Sequence, residues 1–137
     1  MPNNNPVIPQ SARTERIRIS DTTTKVANPT NKLFTAGPNG SRIERIECMN
    51  AFQQTVAVPN VAPVQRILRI HLYIDGVYYL YKELFISPAI NQIVMPPAIF
   101  NINGGLTIQA GVEIWVSQSA YTADKDSTSV TIYAKDF

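Results

Sequence analysis

Alternating apolar and polar residues over positions 66–74 predict a strand at the centre of the fold. The apolar residues share one parity: Leu68, Ile70, Leu72 and Ile74. The other parity carries polar or amphipathic side chains: Arg69, His71 and Tyr73. A period of two is typical of a strand with one buried face. We therefore expect the first set to face a core and the second to point outward.

Asp75-Gly76 follows this strand and predicts a hairpin with a type I′ turn, because both central residues of that turn need positive φ. The returning strand has two possible registers. In the strict register its inner face carries Val77, Tyr79, Tyr81, Glu83 and Phe85. A bulge that reverses the parity would instead bury Leu80, Leu84 and Ile86 and leave Glu83 in solvent. The sequence leaves both registers open.

Further short stretches with strand character lie at 16–20, 32–36, 41–50, 91–94, 106–108, 112–116 and 129–134, and burial resumes at Ile99, Phe100 and Ile102. Glycine and proline separate them, and no stretch predicts a helix strongly. Eight or nine short strands at close spacing predict an all-β fold, a single β-sandwich of the jelly-roll type. Chain turns are expected at 37–40 and 103–105, and a second hairpin at Ala110-Gly111, with the residues of its second arm inward: Val112, Ile114 and Val116.

Residues 41–50 admit a second interpretation. Ile43, Ile46 and Met49 are spaced by three, as on one face of a short amphipathic helix. As a strand, the segment has either a bulge between Ile43 and Ile46 or partial cover on both faces, because the apolar parity changes there. We favour the strand, since Cys48 suits a buried strand position and a turn precedes the segment.

Residues 1–13 are predicted to form an extended N-terminal arm, and residues 14–137 the sandwich domain. Prolines at positions 2, 6 and 9 exclude a helix in the arm. Val7 and Ile8 are apolar residues in polar surroundings, so they are the expected anchors for a groove or strand edge of a neighbouring molecule. The alternative is that the arm folds along its own domain.

Composition excludes several classes of protein. Twelve basic and ten acidic residues leave a charge of +2, which predicts no nucleic-acid surface. No apolar run has the length of a membrane helix, and the first residues lack the pattern of a signal peptide. Cys48 is the single cysteine, so we expect a buried thiol and no internal disulfide.

Candidate chemistry is sparse. With one histidine and one cysteine, no zinc site is expected, and the sequence contains no calcium loop, P-loop, nucleophile elbow or dinucleotide fingerprint. We expect no metal, no cofactor and no enzymatic activity. His71 has the outward parity and is interpreted as a surface or interface histidine.

Large aromatic residues at outward positions are the strongest functional signal. Tyr73, Trp115 and Tyr133 each have the parity opposite to their buried neighbours, and Tyr78 joins them in the strict register of the hairpin. Flat side chains with a polar tip are enriched at contact surfaces. We expect them to bind a protein or a carbohydrate; the alternative is that a loop or the arm covers them.

Four segments in order resemble small virion proteins of tailed phages: VIPQSA, KLFTAGPNGSRIERIE, LRIHLYIDGVYYLYKELFI and LTIQAGVEIWVSQS. The resemblance implies a non-enzymatic capsid decoration or cement protein on the outer surface of the virion. Its partners would be the major capsid protein and neighbouring copies in a homo-oligomer. Two alternatives accompany it: a carbohydrate-binding fibre or receptor-recognition module, and a tail or connector accessory protein.

Overall fold

The computed structural model describes residues 11–19, 29, 31–50, 66–86, 98–118 and 128–137. These residues form eight β-strands, and none of them lies in a helix. The strands are β1 (Ser11–Ile19), β2 (Asn31–Thr35), β3 (Ser41–Asn50), β4 (Arg66–Ile74), β5 (Val77–Ile86), β6 (Ala98–Ile108), β7 (Glu113–Gln118) and β8 (Thr128–Asp136).

Two antiparallel four-stranded sheets pack face to face. Sheet A has the order β1-β8-β3-β6, and sheet B has the order β2-β7-β4-β5. Every connection crosses from one sheet to the other except the β4–β5 hairpin, which stays in sheet B. This alternation is the jelly-roll form of the β-sandwich, so the predicted fold class is confirmed.

One core lies between the sheets. Sheet A and its turns contribute buried apolar residues: Ile19, Ile43, Ile46, Cys48, Ile108, Val130, Ile132 and Ala134. Sheet B and its turns contribute Leu33, Phe34, Leu68, Ile70, Val112, Ile114 and Val116. The alternation predicted for β7 and β8 therefore places the expected residues inside, and Cys48 is a buried thiol as expected. On β4, Leu68 and Ile70 are buried and Leu72 is half-buried, but Ile74 beside the turn is 36% exposed, so its predicted burial is wrong.

The β4–β5 hairpin combines parts of both predicted registers. Asp75 and Gly76 have φ values of 50° and 82°, as a type I′ turn requires, and Ile74 pairs with Val77. The register then shifts, because Ile70 pairs with Lys82 while His71 pairs with Leu80, which leaves Tyr81 as an extra residue. The strict register holds up to the bulge, and the shifted register holds after it.

β3 is a strand, as favoured above, and its bulge falls at Glu44. Both neighbours of β3 shift register between Ile43 and Arg45. The extra residue brings Ile43 and Ile46 to the same inner face, where both are buried. The spacing of three that resembles a helix is therefore produced by a bulge.

Two predicted chain reversals are wrong. Residues 103–105 do not turn the chain: they form an irregularity within β6, where Gly104 and Gly105 have φ values of 77° and 76° and β6 continues to pair with β3 on both sides. Ala110-Gly111 does not close a hairpin, because β6 and β7 belong to different sheets. The turn there, closed by Val112 N–H donating to the Gln109 carbonyl at 3.2 Å, carries the chain across the sandwich.

β1 begins at Ser11, which pairs with Asp136, so residues 11–13 are part of sheet A and precede the predicted domain start at residue 14. Arg13 closes this side of the sandwich. Its guanidinium lies 4.0 Å from the centre of the Phe34 ring, donates to the Thr35 carbonyl at 2.6 Å and pairs with Asp136 at 3.1 Å. The arm residues Val7 and Ile8 and the predicted strand at 91–94 lie outside the described residues.

The two ends of the sandwich differ. The registers place the tight turns at 36–40, 75–76 and 109–112 at one end, together with Ser11. The connections between β1 and β2, β3 and β4, β5 and β6, and β7 and β8 all leave from the opposite end. We call the first the turn end.

Candidate protein-contact surface

Three aromatic side chains meet on the outer face of sheet B near the turn end. Tyr73 on β4 and Tyr78 on β5 are paired residues, and Trp115 on β7 pairs with His71, one position along the same face. The ring centres of Tyr73 and Tyr78 are 4.6 Å apart, those of Tyr78 and Trp115 are 5.7 Å apart, and those of Tyr73 and Trp115 are 6.5 Å apart. We call these three residues the aromatic cluster.

The cluster is both partly exposed and held in place. Each ring is half-buried, and each touches the other two. Contacts of this kind contribute about 0.5–1.5 kcal/mol per pair beyond the burial of area. Tyrosine and tryptophan also lose little side-chain entropy when a partner binds them, since each has only two rotatable bonds. The cluster is therefore a preorganised surface for contact.

His71 lies on the outer face as expected, but the expectation of a surface histidine is wrong, because its side chain is only 3% exposed. The reason lies in its neighbours. Tyr78 on β5 and Trp115 on β7 flank β4, and their rings make contact across it. His71 is also paired with Leu80 on its other side. An outward parity therefore does not expose this side chain.

Exposed apolar residues continue from the cluster along the hairpin. Five of the six exposed large hydrophobic residues that the described part of the chain contains lie on β4 or β5: Ile74, Val77, Tyr79, Leu80 and Phe85. Phe85 and Leu80, at 62% and 51% exposed, are on the outer face, since they pair with Ile67 and His71. Ile74, Val77 and Tyr79 have the inward parity, close to the turn. Leu80 and Phe85 are therefore the two that extend the outer face beside the cluster, and adjacent exposed apolar residues favour a contact surface over scattered surface hydrophobes.

β5 is also an edge strand, because among the described strands it pairs only with β4. Edge strands invite pairing with other chains, and bulges and charged residues oppose this. β5 has both, with the bulge at Tyr81 followed by Lys82 and Glu83. Contact through this strand is therefore expected to use its side chains more than its backbone.

Charged residues border the apolar area. Arg69 Nε lies 3.2 Å from Glu83 Oε1, and Lys32 Nζ lies 3.8 Å from Glu113 Oε2. Arg69 and Glu83 lie on β4 and β5, further from the turn end than the cluster. Glu113 on β7 pairs with Tyr73, and Lys32 on the neighbouring strand β2 pairs with Trp115. An apolar centre with a polar rim is the usual composition of a protein–protein interface.

Tyr133, also predicted as an aromatic contact residue, lies on the other side of the molecule. On the outer face of sheet A its hydroxyl donates to Glu47 Oε2 at 3.2 Å, and the Arg45 guanidinium lies 4.2 Å from its ring centre. Arg45 is in turn paired with Glu47 at 3.3 Å. The structure therefore joins Tyr73 with Trp115 and separates Tyr133 from both.

The outer face of sheet A is charged around Tyr133. Glu44 pairs with Arg42 at 3.1 Å and with Lys135 at 3.3 Å. Desolvation alone would raise the pKa of Glu44, but the hydrogen bond and charge of Lys135, together with those of Arg42, outweigh it and lower the pKa. This face is arranged for solvent.

Sequence reasoning missed Leu80 and Phe85 as surface residues and named Tyr78 only for one register. The bulge at Tyr81 decides all three, because it sets which side of β5 each residue occupies. Nothing in the local sequence marks Tyr81 as the extra residue. The signal available was the abundance of aromatic and aliphatic residues on β5, more than one face of a strand can bury.

Other sites offer less. A shallow groove of about 230 Å³ between β1 and β2 is lined by Arg13, Glu15, Lys32, Leu33, Phe34 and Thr35. Among the described residues, no three His, Cys, Asp or Glu side chains come together as a metal site. A search of that same part of the chain found no helix of sufficient length and hydropathy to cross a membrane.

Comparison with known proteins adds a fold likeness only. No protein-family model matches the chain, and no curated protein matches it. Among solved structures, a structure described as Eiger TNF from S. frugiperda aligns with 95% of this chain and 94% of its own, at 11% identity and a TM-score of 0.47. At this similarity the match carries no functional argument, and the jelly-roll assignment rests on the strand order.

Proposed function

We propose that this protein is a non-enzymatic structural subunit that binds other protein subunits through the outer face of sheet B. In keeping with the sequence resemblance, we propose a capsid decoration or cement protein on the outer surface of a phage virion. Its partners are then the major capsid protein and neighbouring copies of itself. The observation that carries the proposal is the apolar outer face of sheet B, formed by the aromatic cluster together with Leu80 and Phe85.

The chemistry of this face supports a protein partner. Tryptophan and tyrosine are enriched among the residues that dominate binding energy, and those residues occupy the centre of an interface. The cluster has them side by side, with the charged pairs Arg69–Glu83 and Lys32–Glu113 bordering it. A subunit that must stay soluble before assembly needs such a face to be limited in area, and the charged face of sheet A serves solubility.

The carbohydrate-binding alternative is less well supported by the ring geometry. Stacking on a sugar ring requires an open aromatic face. The planes of Tyr73 and Tyr78 are inclined by 42°, and Trp115 meets them at 61° and 86°. These three rings therefore form ridges and not a common platform. A tail or connector location would use the same contact chemistry and differs from the proposal only in the partner.

The test is binding to shells assembled from the major capsid protein of the virus that encodes the chain. Changing Leu80→Glu together with Phe85→Glu places two charges on the proposed face, and both positions are more than half exposed, so the fold is retained. We expect at least tenfold weaker co-sedimentation with shells, because charges at the centre of an interface lose their solvation.

Ile99→Glu is the matched control. Ile99 is 48% exposed and pairs with Glu47 on sheet A, so its substitution adds a charge to the opposite outer face. We expect shell binding within twofold of the unmodified chain. Undiminished binding by the Leu80/Phe85 variant would overturn the proposal. A glycan array with a sugar-dependent signal that Trp115→Ala removes would favour the carbohydrate alternative.

A further inference from the structure

We infer that residues Pro6-Val7-Ile8-Pro9 of one copy bind the aromatic cluster of a second copy. The inference rests on the proposed function, because it names one partner of the same face of sheet B. It follows from the chemistry of these four residues, from the geometry of the cluster, and from the distance between Ser11 and the cluster.

The four residues fit one recurring mode of recognition. Pro6 and Pro9 enclose two apolar residues in a P-x-x-P spacing. The polyproline II conformation has three residues per turn, so two prolines three residues apart present the same edge. Proteins that bind such segments do so with surfaces lined by tyrosine and tryptophan. Tyr73, Tyr78 and Trp115 provide that lining, as a half-buried group of rings in contact with one another.

Strand addition to the β5 edge does not suit these residues. Both prolines lack the backbone N–H, and the remaining donors, Val7 and Ile8, point to opposite sides of an extended chain. At most one of the four residues would donate to β5, and the bulge at Tyr81 interrupts that edge. Recognition by side chains is therefore the better match to the segment and to the surface.

The position of Ser11 decides between the same copy and a neighbour. Ser11 is on the edge strand of sheet A, on the side where β1 faces β2, as the contact of Arg13 with Phe34 shows. To reach Tyr73 the chain must pass the roughly 10 Å between the sheets and then two strand spacings of about 4.8 Å. That path is about 20 Å along the surface.

The available chain is too short for that path. Pro9 is two residues from Ser11 and Pro6 is five residues away, so full extension spans about 7 Å and about 17 Å at roughly 3.3–3.6 Å per residue. The far end of the motif comes within reach of Trp115 on β7, which is one strand nearer, but Tyr73 and Tyr78 on β4 and β5 lie beyond it. The motif as a unit therefore falls short of the cluster in its own molecule. The cluster of a neighbouring copy can lie closer if the turn ends of the two copies are adjacent. The arm of each copy would then bind the cluster of the other.

The experiment uses the full chain and two variants without any shell present. The arm variant carries Val7→Asp and Ile8→Asp, and the face variant carries Tyr73→Ala and Tyr78→Ala. Sedimentation velocity over a concentration series measures self-association. Trp115 is the single tryptophan, so its fluorescence reports on the cluster directly. Circular dichroism and urea unfolding establish that both variants fold.

We expect the unmodified chain to self-associate and each variant alone to do so at least tenfold more weakly. An equimolar mixture of the two variants should recover association in part, because the intact arm of one and the intact cluster of the other still form one contact. Dilution of the unmodified chain should shift Trp115 emission to longer wavelength as the contact dissociates, and the arm variant should show that emission at every concentration.

Two results would overturn the inference. The first is an unmodified chain that stays monomeric at all concentrations. The second is a mixture of variants that associates no better than either variant alone. These outcomes are independent of the shell-binding test. Binding to shells through the outer face of sheet B by a monomeric chain would support the proposed function and contradict this inference. Self-association through the arm without shell binding would support this inference and contradict the proposed function.

Discussion

The outer faces of the two sheets both carry aromatic residues, but the surroundings of these residues differ. On sheet A, Tyr133 gives its hydroxyl hydrogen to Glu47 and lies under Arg45. On sheet B, Tyr73, Tyr78 and Trp115 contact one another, and Leu80 and Phe85 extend the apolar area. On the first face the tyrosine has polar partners within its own chain, and Ile99 is the one exposed large apolar residue among those described. The second leaves apolar area in water, which is the condition that binding relieves.

The difference between the faces depends on neighbours and not on residue type. A tyrosine surrounded by arginine and glutamate becomes part of a charged network, whereas a tyrosine beside tryptophan and leucine becomes part of an apolar surface. Alternation along each strand is the same in the two cases. Which residues surround an outward side chain is decided by the strands on either side, and these come from distant parts of the chain.

The largest expected effect concerns the core that both sheets share. Ile132→Ala on sheet A and Ile114→Ala on sheet B each remove a fully buried side chain. We expect each to lower the free energy of unfolding by about 2–5 kcal/mol, through lost burial and the cavity left behind. Urea unfolding followed by Trp115 fluorescence and by circular dichroism should give one coincident transition for both variants. Separate transitions would mean that the sheets are independent units, with no shared core.

The next largest loss of stability is expected on replacing the glycines of β6, which lie beside the charged face of sheet A. Gly105→Ala introduces a Cβ about 2.5 Å from Arg42 Cγ, at a residue whose φ is 76°. Gly104→Ala is the matched control, since its φ is 77° and nothing lies within 4 Å of its Cβ. We expect both to lose about 1–2 kcal/mol from the left-handed conformation, and Gly105→Ala to lose more. Equal losses measured by urea unfolding would show that Arg42 moves aside without cost.

A smaller effect tests whether Tyr133 belongs to the charged network. Tyr133→Phe removes the hydroxyl that donates to Glu47 and keeps the ring under Arg45. We expect a loss of about 0.5–1 kcal/mol in the free energy of unfolding, the usual net value of one hydrogen bond. Shell binding and self-association should not change. A change in either would assign Tyr133 to the contact surface and weaken the distinction between the two faces.

The smallest effect concerns Glu44. Its pKa is lowered in the folded chain, so its contribution to stability is present above the ordinary pKa of glutamate and is lost as pH falls through the lowered value. Glu44 and its partners are well exposed to solvent, and such pairs contribute little. We therefore expect Glu44→Gln to change the free energy of unfolding at pH 7 by less than about 0.5 kcal/mol. Urea unfolding of both chains at pH 7 and pH 3 measures this difference in free energy. A difference at pH 7 above that limit would show that the charged network of sheet A stabilises the fold.

Much of the fold was predictable because the alternation of β4, β7 and β8 is long and regular. Leu68 and Ile70, Ile114 and Val116, and Val130 and Ile132 are buried as their parity requires. The Asp-Gly turn was equally predictable, since few residue pairs adopt positive φ at both positions. Of the candidate surface, the outward direction of Tyr73 and Trp115 followed from the same regularity.

Pairing between strands was less predictable. Glycines at 104, 105 and 111 indicate positive φ, but a positive φ serves a bulge within a strand as well as a reversal of the chain. The sequence around residues 103–111 therefore suggested two reversals where there is one bulge and one crossing between sheets. In the same way, the parity change in β5 needed the position of one extra residue, Tyr81, which only its pairing with β4 shows.

The sequence by itself determined that this chain is an all-β sandwich and which side chains of its regular strands face inward, because alternation and turn chemistry are local properties. Tertiary structure alone decided that Tyr73, Tyr78 and Trp115 form one cluster, that Tyr133 lies apart from them, and that His71 is buried at an outward position. The physical reason is that the surroundings of an outward side chain come from neighbouring strands. Their order and register depend on bulges and on crossings between sheets, and these are properties of the whole chain.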